Sequence, residues 1–194
     1  MSHKLHGGQA RRPRADGELN KVKLIEAAKH RFAEQGANAV LEQIARDAGV
    51  GIGTLYRHFS TRDALIEAVY RQEVDALVAA ASELQAKAAP VEALRAWLIL
   101  FIDFLETKHG IRSVLDTLIG GSEPLYSGTP AQLSPPVDLL VTRANDCGGM
   151  TIDIAPLDLL RAIAGIATIR PGVAWKQQAV ALIDLLLKGA QGTH

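Results

Sequence analysis

The sequence predicts an all-α protein of about nine helices, with an N-terminal three-helix unit and a C-terminal helical bundle. Apolar residues recur at three- and four-residue spacing through most of the chain, and no stretch alternates apolar and polar residues as a half-buried strand does. Glycine and proline interrupt this pattern where helices end or begin. We expect a tail over residues 1–15 and domains over residues 16–60 and 61–194, connected by helix 4 at about 61–88.

The first fifteen residues are polar and basic and contain glycine, a composition typical of a disordered segment. Their arginines fit either a solvated tail or a basic arm that enters the minor groove of DNA. The arginines in question are Arg11, Arg12 and Arg14.

Helices 1 and 2 build the N-terminal unit. Helix 1 is predicted from near Glu18 to Gln35, where Gly36 ends it. Helix 2 starts near Val40, whose side chain accepts no hydrogen bond. An N-cap interaction of about 0.5–2 kcal/mol is therefore expected to be absent there.

Helix 3, another short helix, follows Gly49. This glycine ends helix 2 at a position where a left-handed residue is needed. Over Ile52–Phe59, Leu55 and Phe59 form the buried side. The opposite side carries two hydroxyls, a guanidinium, an imidazole and a bare glycine, which suits phosphates and base edges. This arrangement predicts a helix-turn-helix with Ile52–Phe59 as the recognition helix. The residues expected at DNA are Ile52, Gly53, Thr54, Tyr56, Arg57 and His58.

Three segments together, AAKHRFAEQG, EQIARDAGV and GIGTLYRHFSTRDAL, resemble the DNA-binding domain of the TetR family of bacterial transcriptional regulators over about residues 24–70. The resemblance implies a homodimer on a pseudo-palindromic double-stranded operator, acting as a repressor that a small-molecule effector releases. Thr54, Tyr56, His58 and Arg62 would hold phosphates. Ile52, Gly53 and Arg57 would face base edges, and Arg57 would equally reach a phosphate. Val40 stands where the family usually has Ser or Thr, and Arg62 where it usually has Lys.

Helix 4 has a clear start, because Ser60 is a good N-cap and Asp63 follows three residues later. Helix 5 starts at Pro90 and is apolar on all sides, which places it in the middle of the bundle. Within it Asp103 either binds a ligand group or pairs with an arginine. The expected ligand pocket comprises Trp97, Phe101, Asp103, Phe104, Arg112, Leu139 and Arg143.

The remaining helices are separated by glycine and proline. Helix 6 is predicted at residues 111–119, and the proline-rich segment 120–136 is either a loop or a broken helix beside the pocket. Helices 7, 8 and 9 follow at about residues 136–146, 157–168 and 173–188. In the resembling family the last two helices form the dimer interface, whereas periodicity alone also allows burial within one chain. The interface residues implied are Leu160, Ile163, Ala164, Ala167, Ala179, Leu182, Ile183 and Leu186.

Composition narrows the function classes. The net charge of zero divides into a basic N-terminal third and an acidic remainder, which suits a polyanionic partner for the first part. One cysteine excludes an internal disulfide and a cysteine zinc site, and we expect no metal or other cofactor. No apolar run is long enough to span a bilayer, so we expect a cytoplasmic protein without a membrane partner. No catalytic motif is present, so an enzyme is a remote alternative; a DNA-binding regulator without a small-molecule switch is the nearer one.

Overall fold

The computed structural model describes residues 12–119, 121–147, 150–169 and 174–191, and their side chains except at 12–14 and 167–169. Within these ranges the chain is all-α, with ten α-helices and a 3₁₀ helix at Gly36–Asn38. The helices are α1 (Arg12–Gln35), α2 (Leu41–Asp47), α3 (Ile52–His58), α4 (Arg62–Lys87), α5 (Pro90–Gly110), α6 (Arg112–Leu115), α7 (Glu123–Ser127), α8 (Thr129–Asp146), α9 (Pro156–Ile169) and α10 (Trp175–Ala190).

The chain forms two compact units, one ending at Val69 and the other beginning at Tyr70. In the N-terminal unit α1 packs on α2 and α3, and α2 packs on α3. The core of this unit consists of fully buried apolar side chains, among them Leu24, Phe32, Ile44, Leu55 and Leu65. Such burial, rather than the intrinsic stability of two seven-residue helices, holds α2 and α3 in place.

In the C-terminal unit α5 is the central helix and contacts α8, α9 and α10. It buries eight of its apolar residues, as its composition predicts. Two polar links also join α5 to α10: Arg95 Nε lies 2.6 Å from Asp184 Oδ1. Lys176 Nζ lies 2.6 Å from Asp103 Oδ1 and 2.9 Å from Glu106 Oε2.

The structure differs from the sequence prediction at the N-terminus. Helix α1 begins at Arg12 rather than near Glu18, so residues 12–15 belong to a helix and not to the expected tail. Pro13 is compatible with this start, because a first-turn residue needs no N–H donor. Arg11 and the side chains of Arg12 and Arg14 lie outside the described residues, as does the side chain of Ala167.

The proline-rich segment is largely helical. It contains α7 and the first part of α8, which carries Pro135 and Pro136 inside the helix. A proline in a helix interior removes a backbone hydrogen bond. Burial of Leu133, Pro136 and Val137 on α8, a helix that packs on α5, offsets that loss. The predicted helix 6 is shorter than expected, at Arg112–Leu115. Among the described helices, none is long and apolar enough to cross a membrane.

Candidate nucleic-acid interface and ligand cavity

The turn between α2 and α3 depends on Gly49. Its φ of +70° is a left-handed conformation that glycine adopts at little cost. The N–H of Gly49 donates to Arg46 O at 3.0 Å, and the N–H of Val50 donates to Ala45 O at 2.9 Å. These two bonds form a Schellman motif, which satisfies the last carbonyls of α2 and sets the direction in which α3 begins.

Helix α3 presents the predicted recognition surface. Leu55 and Phe59 are buried beneath it, whereas Gly53, Tyr56 and Arg57 are exposed. Tyr56 is 49% exposed although it is a large aromatic residue. Ile52, Thr54 and His58 are half-buried on the same short helix. The structure therefore brings together all six α3 residues that the sequence assigns to DNA.

Gly53 has no structural need to be glycine. Apart from its chain neighbours and the backbone of its own helix, a Cβ atom built at this position meets no described atom within 4 Å, and the residue lies within α3. Glycine inside a helix is less stable than alanine by about 0.5–1 kcal/mol. Among the residues that the structure describes, neither packing nor backbone conformation accounts for the missing side chain.

Arg57 lies back along its own helix. Its Nε donates to Gly53 O at 3.3 Å and its Nη2 donates to Thr54 Oγ1 at 2.9 Å. The guanidinium has five N–H donors in total, so it retains donors for a second partner. Arg57 and Thr54 thus form one polar cluster beside the bare backbone of Gly53.

Arg62 does not point outward as the sequence interpretation expects. Its Nη1 donates to Ala39 O at 2.6 Å and its Nη2 donates to Ala37 O at 2.9 Å. Its guanidinium carbon lies 5.2 Å from the centroid of the Phe32 ring. The side chain therefore holds the connection between α1 and α2 from within the unit, a role that the phosphate assignment does not include.

The starts of α2 and α4 also refine the sequence interpretation. The predicted absence of a side-chain cap at Val40 is confirmed. Helix α4 starts one residue later than the Ser60 cap implies, and Thr61 Oγ1 accepts the N–H of Ala64 at 3.1 Å instead. Between α1 and α2, Arg31 Nε and Asp47 Oδ2 form an ion pair of 2.5 Å. Its hydrogen bond raises the pKa of Arg31 and lowers the pKa of Asp47.

The C-terminal unit contains an apolar chamber of about 240 Å³. Aromatic rings from α4, α5 and α7 form much of its wall, and the Tyr70 ring lies 5.8 Å from Phe104 and 5.5 Å from Tyr126. Tyr70 and Thr129 are hydrogen-bonded through their hydroxyls at 2.9 Å. The other lining residues include Phe101, Leu105, Lys108, Leu133, Leu157, Leu160 and Ala164.

A second cavity, the polar chamber, adjoins the first and has a volume of about 480 Å³. Leu105, Lys108, Tyr126 and Ala164 line both chambers. The polar chamber adds charged and hydrogen-bonding side chains from the end of α5 through α7, namely His109, Arg112, Asp116, Ser122 and Glu123.

Three of the predicted pocket residues line these chambers: Phe101, Phe104 and Arg112. The other four line neither. Trp97 is fully buried and donates from Nε1 to Leu77 O at 2.8 Å. Arg143 donates to Gln85 O at 3.1 Å, and Leu139 is exposed.

Of the two roles predicted for Asp103, the structure supports the ion pair and not the ligand contact, but the partner is Lys176 and not an arginine. Sequence reasoning missed Tyr70, Lys108 and Tyr126 because they come from three helices whose packing no local pattern specifies. A lysine in the last turn of a largely buried helix was the one available signal for Lys108.

The predicted dimer residues differ in how deeply the single chain buries them. Leu160, Ile163, Ala179 and Ile183 are buried within the chain itself, so for these four the structure supports the intramolecular alternative. Ala164 lines both chambers. Leu182 is half-buried, whereas Leu186 is 40% exposed. Its neighbour Leu185 is 65% exposed.

No group of metal-binding side chains occurs among the residues that the structure describes.

The chain matches known regulators at two scales. Residues 24–69 match the family model described as bacterial regulatory proteins, tetR family. A curated HTH-type transcriptional regulator from Staphylococcus aureus is 35% identical over 66 residues. The chain spans about a third of the length of that relative, 36%.

Solved structures match about nine tenths of the chain, and two of them are similar in sequence as well. A TetR transcriptional regulator from Streptomyces coelicolor is 40% identical, with a TM-score of 0.80, and the match covers 90% of this chain and 99% of that one. A TetR transcription regulatory protein from Mycobacterium vanbaalenii is 28% identical with a TM-score of 0.70, covering 90% of this chain and 98% of that one. These relatives are transcriptional regulators and not enzymes.

Proposed function

The chain belongs to the TetR family of DNA-binding transcriptional regulators, and we propose that it is a homodimeric repressor that a small-molecule effector releases from a pseudo-palindromic operator. The observation that carries the proposal is the combination of an exposed recognition surface on α3 with a largely apolar cavity in the C-terminal unit. The first is a surface for DNA, and the second is the form that small-molecule sites usually take.

In the proposed complex α3 enters the major groove. Gly53 lets the backbone approach the bases, and the Arg57–Thr54 cluster beside it supplies donors for a base edge or a phosphate. Tyr56 and His58 contact phosphates on either side. Arg62, with two donors already bound to carbonyls, acts mainly by holding the unit in its DNA-reading form.

We propose that the exposed leucines of α10 meet a second copy of the chain. Leu185 and Leu186 are neighbouring large apolar side chains on the surface of a single chain. A two-fold axis would bring both pairs together and bury them. The dimer would then present two α3 helices about 34–36 Å apart, one helical turn of DNA.

The effector is proposed to occupy the two chambers. Release from DNA requires that it bind one conformer of the dimer more tightly than the other, since equal affinity for both shifts no population. Helix α4 has residues in both units and contributes Tyr70 to the apolar chamber. Its position is therefore the coordinate through which chamber occupancy would act on α3.

The decisive experiment is selection of bound sequences from a random DNA pool with the purified protein at moderate salt. We expect an enriched palindrome with half-sites about one helical turn apart. Tyr56→Ala should enrich nothing while keeping its helical content and its dimeric state. Binding without enrichment that fades uniformly as salt rises would show non-specific affinity and overturn the proposal.

The selected operator then tests the switch. Effector candidates should lower operator affinity for the native protein. Ala164→Trp, which adds a bulky side chain at a position that lines both chambers, should obstruct the site and remove the effect. Release that persists in this variant would place the effector elsewhere. Operator affinity that no compound changes would favour a regulator without a small-molecule switch.

A further inference from the structure

Lys108 stands where the apolar chamber meets the polar chamber. It lines both, and its Nζ lies 3.8 Å from the centroid of the Tyr126 ring. Within the part of the chain that the structure describes, no carboxylate lies within salt-bridge distance of this ammonium group. A partly buried cation that lies over an aromatic face and has no carboxylate at salt-bridge distance has an incomplete set of partners.

The surrounding charges do not complete that set. Asp116 faces Arg112, with 4.0 Å between Arg112 Nε and Asp116 Oδ2. Glu123 lines the polar chamber but is exposed to solvent. His109 lies beside Lys108, and its Nδ1 is 3.0 Å from Leu105 O. The cationic groups of Lys108 and Arg112 thus share the polar chamber, and of these two only Lys108 also lines the apolar one. Arg161 lines the apolar chamber as well, but its Nη1 lies 2.6 Å from Asp158 Oδ1, so it already has a carboxylate partner.

Building on the function proposed above, we propose that this double chamber selects an amphipathic carboxylate, with its apolar body among the aromatic rings and its carboxylate bound by Lys108. The apolar chamber accepts the body because Phe101, Phe104 and Leu133 are buried residues on its wall. The carboxylate lies at the boundary between chambers, where Lys108 Nζ donates to it. Arg112 provides a second donor from the polar side.

The alternatives fit less well on electrostatic grounds. Burial and the neighbouring Arg112 lower the pKa of Lys108, while Glu123 raises it. A bound carboxylate would favour the charged lysine and oppose that decrease. A neutral ligand of the same shape would leave the ammonium without an anionic partner, and an amine in the same pose would place a like charge beside it.

The test uses three unbranched probes of eight carbon atoms each, octanoate, octan-1-ol and octylamine, and isothermal titration calorimetry on the whole chain. Octanoate should bind at least about tenfold more tightly than either of the others, because hydrogen bonds to charged groups are the stronger ones. Lys108→Met should remove this preference, and Lys108→Arg should retain most of it. Lys87→Met, which removes an exposed lysine paired with Glu83, should leave all three affinities unchanged.

The outcomes distinguish a failure of the carboxylate proposal from a failure of the proposed release by an effector. Equal affinity for octanoate and octanol, tighter binding of octylamine, no binding of any probe, or a preference that survives Lys108→Met in a folded variant would each overturn the carboxylate proposal. If other molecules still release the protein from the operator, the proposed function stands and only the carboxylate proposal fails. If octanoate binds through Lys108 while no compound releases the operator, the carboxylate site stands and the effector switch fails.

Discussion

The guanidinium of Arg62 donates to the backbone oxygen of Ala39 at 2.6 Å, one residue before the N-cap of α2. A second N–H of the same group donates to Ala37 O at 2.9 Å. Val40, the N-cap residue, provides no side-chain acceptor for the free N–H groups of α2. Arg62 does not replace that cap, but it fixes the chain that leads into α2 and so limits the consequences of its absence.

Replacing this arginine should therefore destabilise the N-terminal unit even when no DNA is bound. We expect Arg62→Ala to lower the free energy of unfolding by about 1.5–3 kcal/mol, the range for hydrogen bonds to charged groups. Arg62→Lys should lose much of the same stability, because one ammonium does not reproduce a two-pronged contact. Urea denaturation followed by circular dichroism measures both. Arg46→Ala, which removes an exposed arginine of α2, should change stability by less than about 0.5 kcal/mol.

Salt dependence distinguishes this role from the phosphate role that the sequence indicates. If Arg62 acts by positioning, the slope of log affinity against log salt should remain that of the native protein in Arg62→Lys and Arg62→Ala. A phosphate contact would reduce the slope by about one in Arg62→Ala. Unchanged stability together with a reduced slope would show that Arg62 contacts a phosphate of the DNA backbone.

Gly53→Ala should make the protein more stable and a weaker DNA binder. The added Cβ meets nothing in the free protein, and alanine in a helix gains about 0.5–1 kcal/mol over glycine. If the bare backbone faces the bases, the same methyl group obstructs the approach and operator affinity falls. Thermal unfolding measures the increase in stability, and a mobility-shift assay measures the decrease in operator affinity.

Gly189→Ala provides the matched control, since Gly189 is also helical and a Cβ there also meets nothing within 4 Å. It lies on α10, so its replacement should leave operator affinity unchanged. If Gly53→Ala bound the operator as tightly as the native protein, close backbone approach would not explain this glycine.

The Arg31–Asp47 ion pair gives the N-terminal unit an acid-sensitive contact. The hydrogen bond from Arg31 lowers the pKa of Asp47 in the folded state. A carboxyl group with a lowered pKa stabilises the fold above its unfolded value of about 3.9, and this stability is lost as pH falls through the folded pKa. The stability difference between native protein and Asp47→Asn should therefore be present at neutral pH and should disappear in acid.

Urea denaturation at a series of pH values measures that difference. In an Arg31→Met background the same Asp47→Asn substitution should show little dependence on pH, because the cause of the lowered pKa is gone. A difference that is equally large in acid, or that persists without Arg31, would contradict this assignment.

Local patterns predict the recognition unit well and the cavity poorly, for a physical reason. The exposed side of α3 and the turn at Gly49 depend on residues within a few positions of each other, so spacing and glycine chemistry suffice. The chambers depend on how helices α4 to α9 pack on one another, and short-range periodicity carries no information on that packing. Trp97 illustrates the difficulty, since an aromatic residue on an apolar helix suits a pocket and a core equally, and here it belongs to the core.

The exposed leucine pair on α10 leads to a test of the dimer. Leu185 is 65% exposed in the single chain, so Leu185→Glu should leave the fold of the chain intact. In a two-fold interface each substitution acts twice, and both carboxylates would lose water at the contact. We expect the dissociation constant of the dimer to rise at least about tenfold, measured by analytical ultracentrifugation, with a parallel loss of operator affinity. Leu139→Glu, at another exposed leucine on α8, should remain dimeric. A dimer of unchanged affinity in Leu185→Glu would exclude this face of α10 from the interface and require the two-fold contact to be sought on a different surface.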